Sequence, residues 1–390
     1  MTAIKNQTYG VTATIATITT SAHPFKNLTS SLKILTLATV SVATLTACQQ
    51  PPDYNYLTGE TMGTSYHISY QLPKGADEAA IQAAVDARLK EINDSMSTYQ
   101  ENSTISTFNR LAKDTPFTID ADFSHVLTVS KQVYEQSGGA FDPTVLPLIE
   151  TWGFGSTMTV ERLQSPPSAA EIAQARALVD FESIIHNDTS IQKTKDGVAL
   201  DFSAVAKGYG VDVIADVLKN KYQIRNYMVE IGGEVSTSGV SAQQQPWQIA
   251  IDAPIEGSTV SKRQTIAAIR QPMNNGNQMH LATSGNYRNS VVFAGKRYSH
   301  TIDPTTGEPI AGGAPSVTVA ADSVALADAW ATALTAMPYP KALATAKTHN
   351  IAALFVILAD ESKSGAADKL EDWQVVETPA MQQLRADKKP

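Results

Sequence analysis

The apolar patterning predicts an α+β fold, with largely antiparallel sheets, helices packed on them, and two subdomains around a central cleft. Three observations predict it. Helical stripes and strand-like alternations both recur along the chain. Their order lacks the regular strand–helix–strand rhythm of a parallel sheet. No internal repeat or long low-complexity linker divides the sequence. With 390 residues, 43% of them apolar and 17% charged, the chain can bury one large core or two modest ones. Its formal net charge of −8 denies it the cationic field that nucleic-acid binding needs, so no nucleic acid is expected as a partner. A single cysteine, Cys48, excludes an internal disulfide or a thiolate zinc cage, leaving oxygen and imidazole as metal ligands.

At the N-terminus, Lys26 and Lys33 precede an apolar run from Ile34 to Leu45, followed by Thr46-Ala47-Cys48. About a dozen apolar residues are too few to span a bilayer. The segment resembles a bacterial lipoprotein signal, which implies removal of residues 1–47, acylation of Cys48, and attachment to a membrane on the periplasmic side of a bacterial envelope. Residues 48–56 then read as a linker, 57–358 as the functional domain, and 359–390 as a charged, peripheral tail.

Within the domain, Ile81, Val85, Leu89, Ile92 and Met96 form one helical stripe, with Asp77 placed to cap it. A second helix is expected from about Asp122 to Gln136, stopped by Gly138-Gly139, which puts Ala140-Phe141-Asp142-Pro143 on a turn. Ser168 and Glu171 make a capping box for a third helix to about Val179. Ser190–Phe202 reads as a hairpin turning at Asp196-Gly197, and a helix from about Ser203 to Asn220 follows. Strands are expected at Tyr227–Ile231, Trp247–Ile251, Gln264–Arg270, Ser316–Ala320 and Ala352–Leu358, with a helix from about Ser323 to Met337.

The P-loop, dinucleotide-fold, zincin and hydrolase-elbow motifs are all missing. The chemistry must therefore reside in other clusters. Asp328 and Thr332 stand four apart on the late helix, so a carboxylate and a hydroxyl share one face and suit a hard cation such as magnesium; a solvated helix face is the alternative. The expected helix start at Ser203, with Lys207 one turn in, suits a phosphate, unless Asp201 simply caps that helix and Lys207 is solvated. His300, in the turn before Pro304, is a candidate general base or a ring that only hydrogen-bonds the ligand. The histidines without a cluster around them, His67 and His280 included, carry no expected role.

Eight segments, in order, strongly resemble the FAD:protein FMN transferases, the ApbE-like flavin transferases. They are Thr61-Met62-Gly63-Thr64, Ser97 to Ser103 after a helix, Gly138 to Asp142, Asp201 to Tyr209, Glu230-Ile231-Gly232-Gly233-Glu234, Ser284 to Asn289, His300 to Gly307, and Ala327 to Thr332. The resemblance implies that the cleft binds FAD, with Met62 and Tyr99 against the flavin, Ala140, Phe141, Asp142 and Asp201 on the dinucleotide, and Lys207 and Ile302 lining the same site. It also implies a magnesium ion held by the Ala204 carbonyl and the side chains of Asp328 and Thr332. An Asp that some members carry at the position of Ala331 is absent, and Lys207 replaces a Glu of some members. The implied reaction moves FMN from FAD to a Ser or Thr hydroxyl of another protein, making a phosphoester and releasing AMP. The family's acceptors carry an Asp-x-x-Ser/Thr-Gly-Ala-Ser/Thr type of segment and include subunits of sodium-pumping NADH:quinone reductases and related electron-transfer complexes. No such segment occurs in this chain, so self-modification is not expected. The alternatives are a FAD pyrophosphatase yielding FMN and AMP, and a non-catalytic flavin-binding lipoprotein.

Overall fold

The computed structural model describes residues 53–155, 165–255, 263–273, 277–285, 290–293, 296–310, 312–360, 362 and 367–385. The signal segment, Cys48 and the turn carrying Arg288 lie outside the described residues.

In chain order the elements are β1 (Tyr54–Thr61), β2 (Thr64–Gln71), α1 (Glu78–Met96), α2 (Thr104–Arg110), β3 (Phe117–Thr118), α3 (Ala121–Ser137), α4 (Leu146–Trp152), α5 (Ala169–Arg176), β4 (Ile184–His186), β5 (Ser190–Lys193) and α6 (Ala206–Asp216). There follow β6 (Tyr227–Ile231), β7 (Glu234–Ser238), β8 (Gln248–Asp252), β9 (Thr265–Arg270), β10 (Gln278–Gly285), β11 (Ser290–Phe293), β12 (Lys296–Ser299), β13 (Ser316–Ala321), α7 (Val324–Thr335), α8 (Tyr339–Thr348), β14 (Ala352–Leu358), β15 (Trp373–Glu377) and α9 (Pro379–Gln382).

Eight strands form the main sheet in the order β1-β2-β6-β7-β10-β13-β14-β15. Every neighbouring pair in it is antiparallel. Alternation along each strand divides the core between the two faces. Tyr227, Val229 and Ile231 of β6 pack with Tyr66, Ile68 and Tyr70 of β2 beneath α1 and α6. Val317 and Val319 of β13 and Phe355 of β14 pack beneath α7 and α3. On the opposite face, Met228, Val235, Leu354 and Val356 meet Trp247, Ile249 and Ile269 of the β8–β9 hairpin, together with Met381 of α9. Helix α7 is central because almost all of its residues are buried alanines or larger apolar groups, which permits close packing on several sides.

The first helix stripe, the capping box of α5 and the left-handed glycine ending α3 form as the sequence predicts. Four expectations are corrected. The helix expected from Ser203 begins at Ala206, after a turn, because Ser203 donates its N–H to Asp201 Oδ1 at 2.8 Å. It ends as an α-helix at Asp216 and continues as a π-turn through Val217–Lys221. The hairpin expected over Ser190–Phe202 has only its first strand: Leu200 gives its N–H to Asn109 Oδ1 at 2.7 Å and receives Asn109 Nδ2 on its carbonyl at 2.8 Å, so one side chain takes the place of a partner strand. The tail after Asp360 is no peripheral segment, since β15 pairs with β14 at the sheet edge and Met381 is fully buried. At the other end, β1 begins at Tyr54, inside the stretch expected to be a linker.

Candidate active site at two facing helix starts

Helices α6 and α7 close each other's first turns. Gly208 of α6 donates its backbone N–H to Asp328 Oδ2 of α7 at 3.0 Å. In return, Asp212 of α6 accepts the N–H groups of Val324 and Ala325 at 2.9 Å each. The contact depends on glycine, because a Cβ at position 208 would lie 2.4 Å from the Val324 carbonyl oxygen and 2.8 Å from Asp328 Cβ. Unpaired helix N–H groups attract anions, and here carboxylates from the facing helix take them.

This approach buries Asp328 beside Lys207, whose Nζ lies 3.7 Å from Asp328 Oδ2 and 3.0 Å from Glu234 Oε1. Glu234 opens β7 directly after Gly232 and Gly233, whose φ angles of 62° and 110° make the turn from β6. Burial holds the carboxyls of Glu234 and Asp328 above the ordinary carboxylate range, with Lys207 acting against it. Burial also works against the charge of Lys207, but Asp328 and Glu234 outweigh it and the ammonium is held above the ordinary lysine range. Two carboxylates thus share one ammonium, and Glu234 Oε2, fully buried, has no hydrogen-bond partner among the described residues.

The residues present fit a hard divalent cation. Asp328 offers a carboxylate oxygen, and Thr332 lies one turn further along the same face, half-buried. The Gly208 N–H, which an uninterrupted helix would direct at the Ala204 carbonyl, goes to Asp328 instead. Among the described residues there is no group of three or more His, Cys, Asp or Glu that could hold a metal, so a cation here would rely on a carboxylate, a hydroxyl, a carbonyl and water.

The other sequence-predicted residues fall into three groups. Asp201 is buried and held by the Ser203 N–H and by Thr98 Oγ1 at 3.3 Å; burial raises its carboxyl above the usual range in spite of these donors. This corrects the expected phosphate seat: the Ser203 N–H is already used, and Lys207, two residues into α6, is engaged by carboxylates. Asp142 accepts the Thr144 N–H at 2.7 Å and its hydroxyl at 2.6 Å, and is likewise raised by burial. Asp201 donates its N–H to the Pro143 carbonyl at 2.8 Å, which joins the two aspartate segments. Ala140 and Phe141 are buried, so their side chains offer a ligand little surface, whereas Tyr99, next to Thr98, is 69% exposed.

Met62 occupies the β1–β2 turn at φ 49° beside Gly63 at φ 72°, as a two-residue hairpin requires, and its Cε lies 2.9 Å from where a Cβ on Gly210 would stand. It therefore packs on α6. Ile302 is buried with Leu148, Trp152 and Ile172, making it a core contact. Trp152 Nε1 donates to the Gly307 carbonyl at 2.8 Å and anchors the whole turn. His300 sits half-buried between β12 and that turn, which is closed by the Thr301 carbonyl accepting from Ile310 N at 3.0 Å.

Sequence reasoning missed Asn109, Asp212 and any role for Glu234. Asp212 lies one turn after Gly208, and Glu234 belongs to a recognised glycine turn, but only tertiary pairing reveals what they hold. His67, expected to have no role, hydrogen-bonds the buried Glu230 at 2.8 Å.

The model of the ApbE family matches residues 62–355. A FAD:protein FMN transferase of Vibrio cholerae is 38% identical over 329 residues, covering 83% of this chain and 94% of that one. One from Haemophilus influenzae is 36% identical over 344 residues, covering 85% and 96%. The solved flavin transferase ApbE from Vibrio cholerae superposes with a TM-score of 0.72 at 34% identity, covering 86% of this chain and all of that one. The apo flavinyl transferase ApbE of Pseudomonas stutzeri gives 0.73 at 31% identity, covering 85% and 97%. The mixed helical and antiparallel architecture is the one those structures share, and this chain belongs to the ApbE family.

Proposed function

We propose that this protein is a magnesium-dependent flavin transferase that moves FMN from FAD to a Ser or Thr hydroxyl of an acceptor protein, releasing AMP. Its membership of a family whose curated relatives are FAD:protein FMN transferases supports the reaction class. The single observation that carries the site is the buried Asp328 carboxylate, left with half a share of Lys207 where two helix starts meet.

In this reading Asp328, Thr332 and the Ala204 carbonyl hold magnesium, which when bound supplies charge stabilisation at the pyrophosphate. Tyr99, exposed, offers a stacking surface to the flavin, and Met62, packed on α6 at Gly210, a second one. Asp142 and Asp201, joined through Pro143, hold the dinucleotide. His300 takes the proton of the attacking hydroxyl. A new oxygen–phosphorus bond forms on the FMN phosphorus, the anhydride bond breaks, and AMP leaves with the bonding electrons. We also assign Cys48 as an acylated anchor facing the periplasm, and subunits of sodium-pumping NADH:quinone reductase or related complexes as acceptors.

The test is incubation with FAD, magnesium and a threonine-bearing acceptor domain. Transfer leaves flavin fluorescence on the acceptor band in a denaturing gel and releases AMP. AMP without a labelled acceptor marks a pyrophosphatase, and bound FAD without AMP marks a binding protein. Equal conversion by metal-stripped and replenished protein refutes the magnesium assignment.

A further inference from the structure

The assigned machinery leaves Glu234 unused, although its second carboxylate oxygen is buried within the site and has no partner among the described residues. We propose that Lys207 is the resident counter-ion of Asp328 while no divalent cation is bound, and that Glu234 is the positioning residue that draws the ammonium aside so that Asp328 can take the metal. The inference rests on the metal assignment proposed above and deepens it.

The geometry already leans this way. Lys207 Nζ stands 3.0 Å from Glu234 Oε1 and 3.7 Å from Asp328 Oδ2, so the ammonium serves both carboxylates and already has the glutamate within hydrogen-bond distance. The orphaned Oε2 is the place where a further ammonium hydrogen can go, and a buried carboxylate oxygen without a donor is costly to maintain. Oε2 and Lys207 Cδ both lie 3.4 Å from the point where a Cβ on Gly232 would stand. They therefore border one small space, kept open because residue 232 has no side chain and a φ of 62°. Charge supplies the driving force. A divalent cation on Asp328 would repel an ammonium in contact with the same carboxylate, and Glu234 gives that ammonium a second anion without releasing it to solvent. Without Glu234, Lys207 has only Asp328 to neutralise it and competes with the metal.

Mn2+ titration of the full chain followed by electron paramagnetic resonance, with neither FAD nor acceptor present, tests the proposal independently of activity. Circular dichroism checks that each variant folds. Glu234→Gln should weaken Mn2+ binding by about tenfold or more, the range of outer-shell effects on metal sites. The double variant Lys207→Met with Glu234→Gln should restore binding to near the wild-type value, because the competitor is gone. A residue that merely supported the fold would show no such reversal. Wild-type affinity in Glu234→Gln, or a double variant as weak as Glu234→Gln, overturns the proposal. If Glu234→Gln does not fold, Lys207→Met alone decides: tighter binding than wild type supports the proposal, and equal or weaker binding overturns it. A wild-type chain that binds no Mn2+ removes the metal assignment itself, whereas normal wild-type binding with unresponsive variants removes only the role of Glu234.

Discussion

Asp328 combines a hydrogen-bond acceptor with a buried charge, and two substitutions separate them. Asp328→Asn keeps a carbonyl for the Gly208 N–H and loses the charge; it should retain the wild-type circular dichroism spectrum while acceptor labelling vanishes. Asp328→Ala also strands that N–H, adding a cost of about 1–3 kcal/mol visible as a lower Tm. His300→Ala should lower labelling steeply while FAD binding, followed by flavin fluorescence, persists, because the turn around it is held by Trp152 and by the Thr301–Ile310 hydrogen bond. At this scale the sequence was informative wherever short spacing matters: the i, i+4 relation of Asp328 and Thr332 needs only a helix. It could not show the partners of Lys207, which lie on β7 and α7, far along the chain. A solvated lysine and one shared by two carboxylates read identically in one dimension.

Among the elements, the start of α6 explains most of the difference between expectation and structure. The helix expected from Ser203 does not start there, because Asp201 two residues earlier captures the Ser203 N–H in a local turn, and the helix begins three residues later without a side-chain cap of its own. Gly208→Ala should therefore destabilise the protein by about 1–3 kcal/mol, through contact with the Val324 carbonyl, and should reduce labelling with it; thermal denaturation and the gel assay measure the two together. Asp212, which caps α7, gives a pH signature. Burial pushes its carboxyl up to about 6, against the two N–H donors, from an ordinary value of 3.8. Between those values the folded chain holds a proton that the unfolded chain has lost, so this group's contribution to stability falls as pH rises through the window. Asp212→Asn should flatten that part of the Tm profile, which a thermal-shift series over the same pH range measures.

For the molecule as a whole, the α+β class and the antiparallel sheet were legible from patterning, because each face of each strand repeats with period two. The strand order was not, since β6 and β7 pair with β2 and β10 through contacts that only folding creates. Nor was the end of the sheet: the charge around β15 suggested a solvated tail, while Met381 just beyond it completes the core of the far face. A chain ending at Asp360 should melt at lower temperature and aggregate through the uncovered edge of β14, as thermal shift and size exclusion would record. Deletion of a fully buried methionine side chain alone costs about 2–5 kcal/mol. The mutual closure of α6 and α7 bears on motion as well. Because each helix start is fastened by an acid from its neighbour, neither can fray alone; they open as one cooperative unit, and that ties the persistence of the reaction centre to the unfolding of the body around it.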